Sequence, residues 1–248
     1  MMLEIGQSAP RADARAKVTG EERYAIDDYP PNLLWAGAKR AGVPHARMRG
    51  VDLQPAQALP GVAVVLTAKD IPGTNRQGIV HKDQPVLVED HVRHCGDPVA
   101  LVLAEDRETL RQALALIELD LEPLPGVFDL DQALAPDAPQ LHERGNCLLH
   151  ATIAAGDVGP AWAECAVIVE EEFTVPFQEH AFLETQNGVA QLEPDGQLTL
   201  TVSTQAPFRD RFEIAHALGL DFRKIRVISP YLGGGFGGKD GATVQCLL

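Results

Sequence analysis

Residues Tyr231 to Asp240 read Y-L-G-G-G-F-G-G-K-D, which puts five glycines and one phenylalanine in six consecutive positions, Gly233 to Gly238. Glycine loses more conformational freedom on folding than any other residue. A cluster this dense therefore marks backbone that turns sharply or approaches a ligand closely. The run Ile225 to Ile228 before it predicts a strand, and Ala242 to Leu248 after it suits a helix. Strand, glycine turn and helix start make an anion cradle, in which free N–H groups and the helix dipole face a phosphate or an oxyanion. Gly233-x-Gly235-x-x-Gly238 matches the dinucleotide fingerprint, and Gly233-x-x-x-x-Gly238-Lys239 matches a P-loop up to its last position. That position holds Asp240, where a P-loop carries Ser or Thr for magnesium. Phe236 among the glycines argues against a plain linker. A purely structural turn stays open at this level.

The 248 residues suggest one large domain or two modest ones, and 45% hydrophobic with 23% charged residues is ordinary for a globular chain. With 21 Lys+Arg against 35 Asp+Glu, the formal charge of -14 argues against nucleic acid and against an anionic membrane surface. No apolar run approaches the ~20 residues that span a bilayer. Met1 to Lys17 lacks the apolar core of a signal peptide, so a cytoplasmic location is expected. Cys95, Cys147, Cys165 and Cys246 lie far apart, without zinc-like spacing, and read as buried thiols. An iron–sulfur cluster on this chain is not expected.

Residues 1–17 read as an irregular arm, and the stretch from Val18 to Asp28 as a turn with a short strand. Strands are expected at Leu33–Ala38, Val62–Leu66, Pro85–Val88, Val99–Ala104 and Glu118–Leu121. Thr67 should cap a helical turn that Pro72-Gly73 stops, and Asp106 should cap a helix whose Leu110, Ala113, Leu114 and Ile117 share one face. These elements suggest an α+β unit over residues 18–124. The Pro- and Asp-rich stretch 125–145 reads as a linker, and 146–248 as a second domain. There a short helical piece, Val158–Cys165, should precede a strand, Ala166–Val175. Pro194-Asp195-Gly196 between two alternating runs predicts a hairpin. A helix Phe208–Leu218, stopped by Gly219, leads to the last strand and the glycine turn. A strand–turn–helix unit normally continues into another strand, so a fragment or a split subunit is expected.

Phe177 to Gln186, F-Q-E-H-A-F-L-E-T-Q, crowds polar residues beside aromatics without strand or helix periodicity. Glu179, His180 and Glu184 lack the spacing of zinc signatures, and a hydrogen-bonded turn with buried polar side chains competes with an acid/base reading. Together with V-S-T-Q at Val202–Gln205 and the glycine turn, this stretch resembles the molybdenum hydroxylases, the xanthine dehydrogenase/aldehyde oxidase family. The similarity extends upstream through T-G-E-E-R-Y-A-I-D-D, P-G-V-A-V-V-L-T-A-K-D-I-P-G and C-G-D-P-V-A-L-V-L-A-E-D, which look like that family's hammerhead domain. It covers roughly residues 18–248, five motifs in order.

The resemblance implies an α+β fold, an α/β-hammerhead domain followed by the start of a molybdopterin-binding domain, as the N-terminal part of the cofactor-binding subunit. It implies a molybdenum–molybdopterin cofactor, in bacterial relatives often the cytosine dinucleotide form, with [2Fe-2S] clusters and FAD on partner chains. Gln178 matches the glutamine that hydrogen-bonds an oxo ligand of the metal, and Gly235, Phe236, Gly237 and Gly238 match the loop that contacts pterin and metal. On that reading the glycines let N–H donors approach negatively charged oxygens, where a Cβ would obstruct them. Lys239 suits charge balance nearby or faces solvent. Asp240 falls where xanthine dehydrogenases carry a glutamate against the purine, so it is the substrate-binding candidate. The implied reaction is hydroxylation of an electron-poor carbon of an N-heterocycle or aldehyde, with water as oxygen source. The general-base glutamate belongs to further polypeptide of the same subunit, and Glu179 and Glu184 do not match its motif. Two other readings stand beside this one: a glycine-loop nucleotide-binding module, and a non-catalytic fragment that binds partners.

Overall fold

The structure, a computed structural model, describes residues 5, 6 and 8–241. The expected helix Ala242–Leu248, and Cys246, lie outside the described residues. In chain order the elements are α1 (Ala14–Thr19), β1 (Trp35–Arg40), β2 (Ala46–Asp52), α2 (Gln54–Gln57), β3 (Val62–Thr67), β4 (His91–Val92), β5 (Pro98–Ala104), α3 (Arg107–Leu116) and β6 (Glu118–Pro123). They continue with α4 (Leu130–Leu134), α5 (Gly159–Glu164), β7 (Gly188–Leu192), β8 (Leu198–Val202), α6 (Pro207–Leu218) and β9 (Ile225–Ile228). Mixed helices and antiparallel-rich sheets make the fold α+β, as the sequence implies. Two compact units divide the chain: residues up to Gly126 together with those from Phe182 onward, and Val127–Ala181.

In the first unit β5 is the central strand. It pairs antiparallel with β1 and β3 to give the order β1-β5-β3. Its sequence P-V-A-L-V-L-A is apolar on both faces because each face covers a core. Ala100 and Val102 pack with Val65, Ala56, Ala113 and Ile117, while Val99 packs with Ala41, Ala46, Val88 and Val92. Helix α3 closes the first of these cores. Asp106 caps it by accepting from the Thr109 N–H at 2.8 Å, and Leu110 and Leu114 lie over Gly37 of β1. A second sheet has the order β4-β2-β6.

The third sheet, β7-β8-β9, carries the glycine turn. β7 and β8 form the predicted hairpin, and β9 runs parallel to β8. Helix α6 packs on this sheet through Ile214 and Ala215, against Leu200, Val202 and Ile225. Gly219 ends it in the left-handed region, φ 63°. The last carbonyls of a helix lack partners within it. The loop after β3 supplies them: the N–H of Gly73 donates to Ala217 O at 2.9 Å and that of Thr74 to His216 O at 2.8 Å. Any Cβ at Gly73 would overlap the His216 carbonyl oxygen, so this contact requires glycine.

Several expectations are corrected. The arm ends in α1, and Val18–Asp28 contains a 3-10 turn, Ala25–Asp27, with Tyr24 bridged to Tyr231 instead of a regular strand. Pro85–Val88 is buried but joins no ladder, because Asn75 takes a strand's place, accepting from Leu87 N at 2.9 Å and donating to Leu87 O at 2.8 Å. Ala166–Val175 forms no strand, and all of it is exposed. Its alternation suits a sheet, but no described strand pairs with it, and a lone strand is not stable in water. Cys95, Cys147 and Cys165 are free and exposed rather than buried, since Cys95 sits in the turn before β5 and the others in the exposed second unit. Within 125–145, Asp129 caps the short α4.

The Gly73 contact predicts that Gly73→Ala loses both hydrogen bonds, each contributing about 1 kcal/mol. Urea unfolding should show a loss of about 2 kcal/mol or more. Unchanged stability would mean that the loop does not cap α6.

Candidate functional site

After β9 the chain bridges Tyr231 to Tyr24 and enters the glycine turn. Gly234 and Gly237 adopt φ of 105° and 93°, and Phe236 adopts φ 49°, a left-handed conformation uncommon outside glycine. The other glycines make room for neighbours. A Cβ at Gly233 would overlap the Glu184 side chain, and one at Gly235 the Gln205 side chain. The glycine density is thus set in large part by the protein's own packing.

The backbone donors divide into two groups. Gly233 N donates to Glu184 Oε2 at 2.8 Å, and the N–H groups of Gly237 and Lys239 donate to Gln205 Oε1 at 3.0 and 3.3 Å. Gly238 N donates to Gly235 O at 2.7 Å and Asp240 N to Gly237 O at 3.2 Å. The N–H groups of Gly234, Gly235 and Phe236 have no protein partner among the described residues. Three successive donors without a protein partner, one of them on buried Gly235, are the kind of backbone run that anion-binding concavities are built from. Phe236 itself stands 75% exposed beside them.

Beneath the turn lies a buried ion pair. Lys239 is 1% exposed, and its Nζ donates to Ser203 Oγ and to the Glu184 carbonyl, both at 2.6 Å. Glu184 Oε2 lies 3.5 Å from Nζ and accepts from Ser203 Oγ at 2.8 Å. The Phe182 ring sits 4.6 Å from Nζ. Burial works against ionising Glu184. Hydrogen bonds from Gly233, Ser203 and Asn187, with the Lys239 charge, outweigh it and hold the carboxyl below its ordinary value.

The residues singled out from sequence belong to different units. Gly235 to Gly238 form the turn, and Asp240, exposed at its end, pairs with Arg209 at 2.9 Å. Gln178 belongs to the Val127–Ala181 unit and is exposed, as are Glu179 and His180, whose carboxylate and ring lie 3.9 Å apart. No group of three potential metal-ligating residues occurs among the described residues. Sequence reasoning missed Ser203, Gln205, Arg209 and the burial of Lys239. Ser203 and Gln205 had a signal, since they lie in the V-S-T-Q motif.

Residues 19–125 match the a/b hammerhead domain of aldehyde oxidase and xanthine dehydrogenase, and residues 141–248 match the molybdopterin cofactor-binding domain. The chain is 40% identical over 242 residues to the nicotinate dehydrogenase large molybdopterin subunit of Eubacterium barkeri, covering 98% of this chain and 57% of that one. It is 42% identical over 238 residues to a probable xanthine dehydrogenase chain of Bacillus subtilis, covering 96% of this chain and 32% of the relative. The aldehyde oxidoreductase structure from Desulfovibrio desulfuricans superposes with a TM-score of 0.85 at 30% identity, over 98% of this chain and 28% of the other. The chain thus spans somewhat over half of the first of these relatives and about a third of the second.

The depressed Glu184 carboxyl sets a pH dependence. A group whose pKa falls on folding stabilises the fold above its unfolded value, and that contribution is lost as pH drops through the folded value. Glu184→Gln should cost about 3–5 kcal/mol near neutrality, where it leaves Lys239 buried without its counter-charge. The gap from wild type, read from urea unfolding at a series of pH values, should narrow below about pH 4. A gap independent of pH would place the Glu184 charge outside the stabilising network.

Proposed function

Because the chain belongs to the molybdenum hydroxylase family, the xanthine dehydrogenase/aldehyde oxidase group, as the N-terminal part of its molybdenum-cofactor-binding subunit, we propose that it forms part of the cofactor wall of such an enzyme. The observation that carries this reading is the run of three free backbone donors, Gly234 to Phe236, on a turn whose other donors are already engaged. Such donors would hold the negatively charged oxygens of a molybdenum–molybdopterin group, and the buried Gly235 N–H fits that role. Bound there, the cofactor supplies two-electron oxidation at an electron-poor substrate carbon, with water as the oxygen source.

The chain's own residues bind and orient. Gly235 and Phe236 donate through their N–H groups. Gly237 and Gly238, whose N–H groups serve the turn, shape it instead. Gln178 would offer its side-chain amide as a donor to the molybdenum group. Asp240 offers a carboxylate to substrate, an N-heterocycle or an aldehyde, with Arg209 fixing its direction. On this reading residues 18–124 are the hammerhead domain and 146–248 part of the molybdopterin-binding domain. Iron–sulfur clusters and FAD on partner chains would take up the electrons, and further polypeptide of the subunit would supply the general base. The cytosine dinucleotide form of the cofactor belongs to the same proposal. A nucleotide-binding module fits less well, because Asp240 engages Arg209 where a P-loop hydroxyl would hold magnesium. Molybdenum analysis of the purified assembly, with mass spectrometry of its co-purifying chains, tests the reading directly. An assembly devoid of molybdenum refutes it.

Two substitutions test the assigned roles. Gln178→Ala should leave folding intact, since the side chain is exposed, while altering the Mo(V) paramagnetic spectrum and lowering the rate about 10²–10³-fold. An unchanged spectrum and rate would remove Gln178 from the site. Asp240→Asn should lower kcat/KM roughly 10- to 150-fold, the loss of one charged hydrogen bond, with molybdenum content unchanged. Wild-type turnover would reduce Asp240 to an exposed partner of Arg209, contributing about 0.2–1 kcal/mol to stability.

A further inference from the structure

We propose that Lys239 is a positioning residue: its buried ammonium, clamped by Glu184 and Ser203, closes the base of the glycine turn and keeps the Gly234–Phe236 N–H groups clear of protein partners. Lysine is almost never fully buried unless paired, and Lys239 is 1% exposed. Its ammonium carries three donors. Two go to Ser203 Oγ and the Glu184 carbonyl at 2.6 Å, and the third side faces Glu184 Oε2 at 3.5 Å. Nothing is left with which to touch a ligand. The residue therefore acts through the backbone that it anchors.

That backbone is held at both ends by the same side chain. Glu184 Oε2 accepts from Gly233 N at the upstream end at 2.8 Å, and Gly233 O accepts from Glu184 N at 3.2 Å. At the downstream end the carboxylate meets Lys239 Nζ directly and through Ser203, which donates to it at 2.8 Å. A second fastening holds the turn from below: Lys239 O accepts from Gln205 N at 2.9 Å, and Gln205 Oε1 accepts from Gly237 N and Lys239 N. The segment between these anchors contains glycines, which have little conformational preference of their own, and a phenylalanine in the disfavoured left-handed region, so the donors stay aligned only if the surroundings hold them. The ion pair supplies that order. Its consequence for cofactor retention rests on the function proposed above.

The experiment uses the full-length subunit in its assembly, with Lys239→Met, Ser203→Ala and Ser203→Thr. Exposed Phe236 is a chymotrypsin site inside the turn, so the rate of cleavage after it reports local opening without reference to cofactor or activity. Lys239→Met should raise that rate by about tenfold or more, and Ser203→Ala less, while Ser203→Thr, which restores the hydroxyl, should return it to wild type. Ile214→Val in the α6 core serves as the control for general destabilisation and should leave cleavage after Phe236 unchanged. In the same samples Lys239→Met should lower the molybdenum-to-protein ratio and broaden the Mo(V) signal. Unchanged cleavage in both Lys239→Met and Ser203→Ala would overturn the clamp. Faster cleavage with full molybdenum content and an unaltered signal would overturn its role in cofactor retention. A wild-type assembly without molybdenum would refute the cofactor reading alone, and the cleavage rates would still decide the clamp.

Discussion

One carboxylate, that of Glu184, organises three stretches of chain that are far apart in sequence. It accepts from Gly233 at the start of the glycine turn, from Ser203 at the end of β8, and faces Lys239 at the far side of the turn. A charge buried in this way is costly unless every lone pair is used, because water no longer solvates it. Here the hydrogen bonds converge on the ionised form, and Asn187 adds a contact to the other oxygen at 3.3 Å. The arrangement explains why F-Q-E-H-A-F-L-E-T-Q, V-S-T-Q and G-G-G-F-G-G-K-D occur in one chain: each contributes a member of a single network.

The network also changes what the glycines are for. In the absence of a structure, five glycines beside an anion-binding pattern suggest that the ligand itself excludes side chains. Two of them, Gly233 and Gly235, are instead kept small by Glu184 and Gln205, and Gly234 and Gly237 by their backbone angles. Ligand approach and internal packing are not rivals. The packing engages the donors of Gly233, Gly237, Gly238 and Lys239 and leaves those of Gly234, Gly235 and Phe236 without a partner among the described residues.

Elements whose signals are local were legible in the sequence. The β7–β8 hairpin follows from Pro194-Asp195-Gly196, α3 from its Asp106 cap and apolar stripe, and α6 from its periodicity and Gly219. Elements that depend on distant partners were not. β2, which carries Arg47 and Arg49 on one face, is a strand because β6 pairs with it, and Arg49 meets Glu122 there at 2.6 Å. The converse failure is Ala166–Val175, where the alternation is present and the pairing strand is not. Lys239 belongs to the same class of difficulty. A lysine defaults to solvent, and its burial is decided by Glu184 and Ser203, which no local pattern around Lys239 announces.

The position of Asp240 can be traced back to the opposite end of α6. The helix is fixed axially where Gly73 and Thr74 donate to its last carbonyls, and laterally where Lys82 pairs with the buried Glu213. Its first turn carries Arg209, whose guanidinium meets Asp240. A helix transmits position along its length because its backbone hydrogen bonds leave little freedom between its ends. The loop that follows β3 therefore sets where Arg209 stands, and through it the direction of the Asp240 carboxylate. Residues of the hammerhead-matching stretch 19–125 thus help to fix where Arg209 and Asp240 stand, although none of them lies in the glycine turn.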